Sequence, residues 1–415
     1  MPRRITTSAV VVVQAAVLAA AGFSWVTAAP SVRRQIAREI TGRPLATVVP
    51  VPRETPLVIE PLYDDPEVVS DDELAAVLRK VQPRFRRAQL KPNFVEHALR
   101  TWGAAAEFQD PAVMSGAALK EFLVDHGKYL ASWGAGVEPL LLDRPEGVAI
   151  RWGKDTCASV HHDHWLASLT EAGVGLREPV FTPSRRMTLY DALQEALRDF
   201  RVDEVETEWS ALAFGLWLPP VSTWTNDAGR EVSFDLLAER QMRGDQKLGV
   251  CSGTHRVYSL MVLIRLDDEH QVLSPAVRAA ALKHLEQVRD ALIASQFPDG
   301  HWPSNWADGA AAVNKPVQDE LYRQVIATGH HLEWLAIAPR HLHPPREQIL
   351  KAADWVIRTT VGQSQPQIAE RYTFFSHVGQ ALALWRKTRP AEFWRTWEAA
   401  HPFDPDAPVS AVDLQ

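Results

Sequence analysis

From about residue 70 to about residue 400 the chain alternates between two kinds of apolar pattern. In "MTLYDALQEALRDF" from Met187, "VSFDLLAERQM" from Val232, "SPAVRAAALKHLEQVRDALIASQ" from Ser274 and "PREQILKAADWVIRTT" from Pro345, apolar residues recur three and four apart among charged ones. That spacing predicts helices with one buried stripe and one solvated face. "SGAALKEFLV" from Ser115, "DHWLASLTEAG" from Asp163, "EWSALAFGLWL" from Glu208, "THRVYSLMVLIRL" from Thr254, "HHLEWLAIA" from His330 and "SHVGQALALW" from Ser376 are apolar nearly all round. They predict helices enclosed on every side.

Most of the second kind open on a histidine or an acid. The markers are His164, Glu208, His255, His330 and His377, and three of the four steps between them are nearly equal. A helical hairpin with its loops accounts for such a step. Six enclosed helices alternating with outer ones predict an all-α fold, an (α/α)6 toroid of alternating inner and outer helices, as one domain over residues 70–402. Ser70 with Glu73 reads as a capping box at its start, and Asn93 with Glu96 repeats the pattern. Residues 139–153 and "WTNDAGREVSF" read as turns or hairpins, most simply plain connections.

The N-terminal stretch differs in kind. Arg3 and Arg4 precede a run from Ile5 to Val32 with no charged side chain, so residues 1–31 are expected to be a signal peptide or a transmembrane anchor helix. The small residues of "VTA" before Pro30 would suit cleavage. Arg33, Arg34 and Arg38 follow, and a strict positive-inside count would hold the body in the cytoplasm. The long uncharged run is expected to direct export, with the body extracytoplasmic or tethered to the cell envelope. Residues 32–69, basic and then rich in proline, read as a juxtamembrane segment and stiff spacer, and 403–415 as a disordered tail.

Composition narrows the function classes. With 46% hydrophobic residues, fifteen tryptophans and a net charge of −7, the chain is a well-packed, mildly acidic protein, which disfavours nucleic acid as a partner. Two cysteines, Cys157 and Cys251, make no disulfide framework.

The segment "LIASQFPDGHWPSNW" carries Leu292, Gln296, Gly300 and Trp302 in the order L-x3-Q then G-x-W. This resembles the later part of the QW motif of triterpene cyclases and related prenyltransferase-like α/α toroids. The resemblance covers about ten residues, and Ala291 stands where the motif has its upstream aromatic. It implies architecture, a brace between outer and inner helices. It does not imply cyclase activity, because "DDPEV", "DDELA" and "DDEHQ" all depart from D-x-D-D and D-D-x-x-D. Nor do the Asp, Cys and His zinc ligands of protein prenyltransferases have counterparts that can be placed here.

If the enclosed helices run parallel, their markers converge at one end of the ring, and the helix N-termini there favour anions and neutral imidazoles. Three readings of these residues stand side by side. Each histidine can cap a helix or loop. "CSGTH" sets Cys251 four residues before His255, and with His330 these supply three ligands for a zinc ion and its water. Or a carboxylate works with a histidine in metal-free acid–base chemistry on a glycan or lipid-linked substrate, with Glu208, His255, His330, His331 and Glu333 as candidates. A non-catalytic binding or scaffold toroid, holding a peptide or other partner, is the alternative to an enzyme. His330 and His331 are adjacent on a helix and point roughly 100° apart, so one at most is expected to face a cavity.

Overall fold

A computed structural model describes residues 7–28, a few positions between 32 and 40, and residues 48–204, 206–219, 223–244 and 249–405. The basic part that opens the expected 32–69 segment and the tail past residue 405 fall largely outside them. The chain is predominantly helical, with three two-stranded antiparallel hairpins among the described residues. Helix α1 spans Thr7–Thr27. Its side chains are described from Val11 onward, and Val12, Leu18, Phe23 and Val26 are each at least two-thirds exposed. Among the described residues no helix is long and apolar enough to cross a membrane, so the expected transmembrane span is not found there.

Six helices make the centre: α3 (Pro92–Trp102), α6 (His164–Glu171), α8 (Glu208–Trp217), α10 (Thr254–His270), α13 (Leu321–Ile337) and α16 (Tyr372–Trp385). Each packs on the next in that order, and α16 packs back on α3. Every residue of α8 is buried, as the all-round apolar pattern requires. The first member of this circuit differs from the sequence expectation. Helix α4 (Gly116–Val124) has Ala117 and Glu121 exposed and packs outside α3. The enclosed helix is α3, whose buried positions include Glu96, His97 and Arg100. Polarity hid it, because its inward face is charged.

Outside the circuit lie α2 (Asp71–Lys80), α5 (His126–Trp133), α7 (Leu189–Asp199), α9 (Phe234–Met242), α11 (Pro275–Ser295), α12 (Ala310–Asn314), α14 (Arg346–Val361), α15 (Gln365–Glu370) and α17 (Pro390–Ala400). Ser70 caps α2, accepting from the Glu73 amide while the Glu73 carboxylate accepts from the Ser70 amide. Asn93 caps nothing. Helix α3 starts two residues earlier than that cap implies, at Pro92, with Lys91 in the cap position. The expected turns at 139–153 and 224–234 are hairpins, Leu141–Arg144 with Gly147–Ile150 and Thr223–Thr225 with Glu231–Ser233.

The proline-rich segment is not a free spacer. Residues 49–69 run across the C-terminal ends of the central helices, which would otherwise leave carbonyls without donors. The Leu57 amide donates to Leu216 O at the end of α8, Leu62 to Ala336 O at the end of α13 and Asp65 to Trp385 O at the end of α16. Val49 is buried and exchanges two hydrogen bonds with the Gln194 amide group. Proline-rich sequence predicts a stiff link between bodies; here it holds a strap extended along one body.

In the QW-like segment, Gln296 Nε2 donates to Gly300 O and, 2.7 Å away, to Gln348 O on α14. Trp302 Nε1 donates back to Leu292 O. Gly300 has φ +110°, and a Cβ there would lie 2.3 Å from Lys351 O, so the loop needs glycine to sit against α14.

Candidate functional site

Each central helix gives one ring to a closed circuit. His97 of α3 meets His164 of α6 with ring centroids 4.5 Å apart, and Trp209 of α8 lies 4.2 Å from both His164 and His255 of α10. His255 lies 4.3 Å from His330 of α13, His330 lies 3.8 Å from His377 of α16, and His377 returns to His97 at 5.1 Å. Five imidazoles and one indole fill the middle of the bundle at this level.

One helical turn further on lies a second level, three residues along in four of the helices: Arg100, Tyr258, Glu333 and Gln380. Glu171 of α6 joins them. The buried Arg100 guanidinium donates through Nε to Glu171, through Nη2 to Glu333 at 2.7 Å, and through Nη1 to His377 Nδ1 at 2.9 Å. The Tyr258 hydroxyl donates to the other Glu171 oxygen at 2.7 Å. Burial opposes the charge on Arg100, yet Glu171 and Glu333 hold its pKa well above the ordinary value. Burial likewise opposes ionisation of Glu333, but Arg100 and His330 overcome it and bring its pKa down to about 2.

The imidazoles themselves are neutral. Burial is the main cause for His97, His164, His255 and His377, helped by neighbouring rings and by the Arg100 charge, and all four lie well below the usual histidine value. Arginine has no acceptor, so His377 Nδ1 accepts and its proton sits on Nε2. A carboxylate has no proton to give, so His330 Nδ1 donates to Glu333 at 3.0 Å and its Nε2 is a bare lone pair. Glu96 lies 2.7 Å from His164, and burial pushes its carboxyl up to about 8 against the pull of Ser159 and His161.

The sequence-derived candidates divide into three groups. Glu208 is fully employed in holding the loop before α10: it accepts from the Thr207 and Val250 amides and from Arg256 Nε. His331 packs between Trp302 and Trp306 and accepts from Trp334 Nε1, so it faces away from the ring circuit that holds its neighbour His330. His255, His330 and Glu333 converge at the centre, and ligand-capable atoms of Cys251, His255 and His330 lie within 4.8 Å of one another. They do not share the helix-start position expected of them. α10 begins next to His255, but α13 begins at Leu321 and α16 at Tyr372, so His330 and His377 are mid-helix.

A cavity lies at the other end, where the central helices finish. About 640 Å³ in volume, it is floored by Arg100, Glu171, Tyr258 and Gln380 and walled by Leu57–Glu60 of the strap, with Trp102–Glu107 and Arg389 around it. None of the sequence-derived candidates lines it. Glu96, His97, Arg100, Glu171 and Gln380 were missed by the sequence reading. A usable signal was present: His97, His255, His330 and His377 each stand three residues before a polar residue that extends the same inward stripe.

No protein-family model matches the chain, and neither does any curated protein or solved structure.

Proposed function

We propose that this chain is an (α/α)6 toroid and an exported or membrane-anchored enzyme, acting on a glycan or lipid-linked molecule held in the 640 Å³ cavity. The closed packing circuit of six central helices supports the toroid, as does the Gln296 brace between α11 and α14. The exposed apolar side chains of α1 call for a non-aqueous partner, which a lipid bilayer supplies, and this supports a membrane association.

One observation carries the enzyme reading. A buried guanidinium clamped by two carboxylates, itself costly, forms the floor of a cavity of ligand size. A scaffold needs no such group. Glu171 is the one carboxylate of this cluster that touches the cavity, and with Tyr258 on its second oxygen it is placed to exchange a proton with a bound hydroxyl or ether oxygen. Arg100 stands ready for negative charge that develops beside it. Glu333 and His330 act through Arg100 rather than on substrate.

The test is a binding and turnover screen of the full chain with neutral and acidic oligosaccharides and polyprenyl-linked sugars. Turnover that Glu171→Gln abolishes while binding persists supports the enzyme. Binding without product from any compound supports the alternative, a binding toroid, which the fully packed ring circuit around Trp209 also favours.

A further inference from the structure

We propose that Cys251, His255 and His330 hold a divalent zinc ion at the end of the bundle opposite the cavity, with Glu333 orienting His330. The inference goes beyond the proposed activity and does not depend on it.

Geometry comes first. The three side chains present one sulfur and two imidazoles within 4.8 Å of one another. Tetrahedral zinc with its usual bond lengths wants ligand atoms roughly 3.5 Å apart, a spacing this set can reach by small side-chain adjustments. Second, Nε2 of His255 and Nε2 of His330 have no hydrogen-bond partner among the described residues, although the two side chains are 1% exposed. Buried ring nitrogens without partners are costly and ask for a ligand. Third, the protonation pattern selects this trio over the neighbouring one. His330 Nδ1 is committed to the Glu333 carboxylate, which leaves Nε2 bare and oriented, the usual arrangement behind a metal-bound histidine. His330, Glu333 and His377 also lie close together, but His377 Nδ1 and Glu333 are both taken by Arg100.

The loop places the sulfur. Cys251, Ser252 and Gly253 all have positive φ, which turns the chain sharply at the start of α10, and Trp306 Nε1 fixes Ser252 O at 3.0 Å. The Glu208 carboxylate anchors the same loop through the Val250 amide. On binding, the Cys251 thiol gives its proton to solvent and both imidazoles bind as neutral ligands, leaving a fourth position for water.

The experiment loads the metal-stripped full chain with Zn²⁺ and, in parallel, with Co²⁺. Expected are one equivalent of zinc by mass spectrometry, and for cobalt intense tetrahedral bands with a thiolate charge-transfer band. Cys251→Ser should lose that band, His330→Ala should lose stoichiometric metal, and Glu333→Gln should weaken binding about 10–100-fold. His331→Ala, a buried histidine outside the trio, should keep the metal, which separates ligand loss from misfolding. Cobalt bound without the charge-transfer band would overturn the assignment, and so would folded wild-type chain that takes up no stoichiometric zinc. The substrate screen reads the other end of the bundle, so either proposal can fail alone.

Discussion

Arg100 Nη2 meets Glu333 Oε1 at 2.7 Å with the two side chains 2% and 0% exposed, and the same guanidinium reaches Glu171 on its other side. One cation thus answers two carboxylates, Glu333 fully buried and Glu171 at the cavity floor.

Removing the cation leaves both carboxylates uncompensated. Arg100→Met should cost about 3–5 kcal/mol in urea unfolding. Arg100→Met combined with Glu333→Gln should cost less than the two single changes added together, because the second removes a charge the first has stranded. Additive losses in the double-mutant cycle would show that the pair is uncoupled.

Acid should act through Glu333. Its folded pKa is depressed, so the stability it contributes is complete above the ordinary glutamate value near 4.5 and lost as pH falls toward about 2. Melting temperatures measured from pH 6 to pH 2.5 should drop more for the wild type than for Glu333→Gln.

Glu96 works in the opposite sense. Its folded pKa is raised to about 8, so the protonated form fits the fold, and the stability this gives is complete below about 4.5 and lost as pH rises to 8. Glu96→Gln, which cannot ionise, should gain stability relative to wild type between pH 5 and pH 8.5. A constant difference over that range would mean the carboxyl is solvated.

Deleting the residues before 48 should leave the melting temperature of the helical body unchanged, whereas deleting those before 70 should lower it strongly. The second truncation uncovers the carbonyls of Leu216, Ala336 and Trp385, each bond worth about 1 kcal/mol, and removes buried Val49, Val68 and Val69. Equal melting temperatures for the two truncations would mean the strap is not docked.

Gly300→Ala should destabilise by about 2–5 kcal/mol, from positive φ and a clash with the α14 backbone together. Chemical denaturation compared with Gly136→Ala, where a Cβ meets nothing, isolates the effect.

The alternation of outer and enclosed helices was readable because it rests on local apolar spacing: α7, α8, α9, α10, α11 and α14 all fall where that spacing puts them. What resisted reading depends on distant partners. Arg100 looks like a surface residue until Glu171 and Glu333 are placed beside it, and Leu57 looks like linker until Leu216 is. The ring circuit was half visible, since His164, His255, His330 and His377 stood out as markers, but His97 sits in a segment whose charges disguised its burial. No local pattern indicated a cavity at the C-terminal ends, because its floor is assembled from residues on four helices.

The strap also sets an order of assembly. Tyr63 waits for Ala338, 275 residues later, and Asp64 for Arg386, 322 residues later. At translation rates of roughly 5–20 residues per second, the second interval is on the order of 15–65 s. The segment made before the body is therefore among the last to find its place, and contacts of such long range slow the search for the native topology. Until α16 is synthesised, the newborn chain carries a strap whose last stretch, around Asp64 and Asp65, lacks its partners, which makes this stretch the natural point for a chaperone to hold and for aggregation to begin.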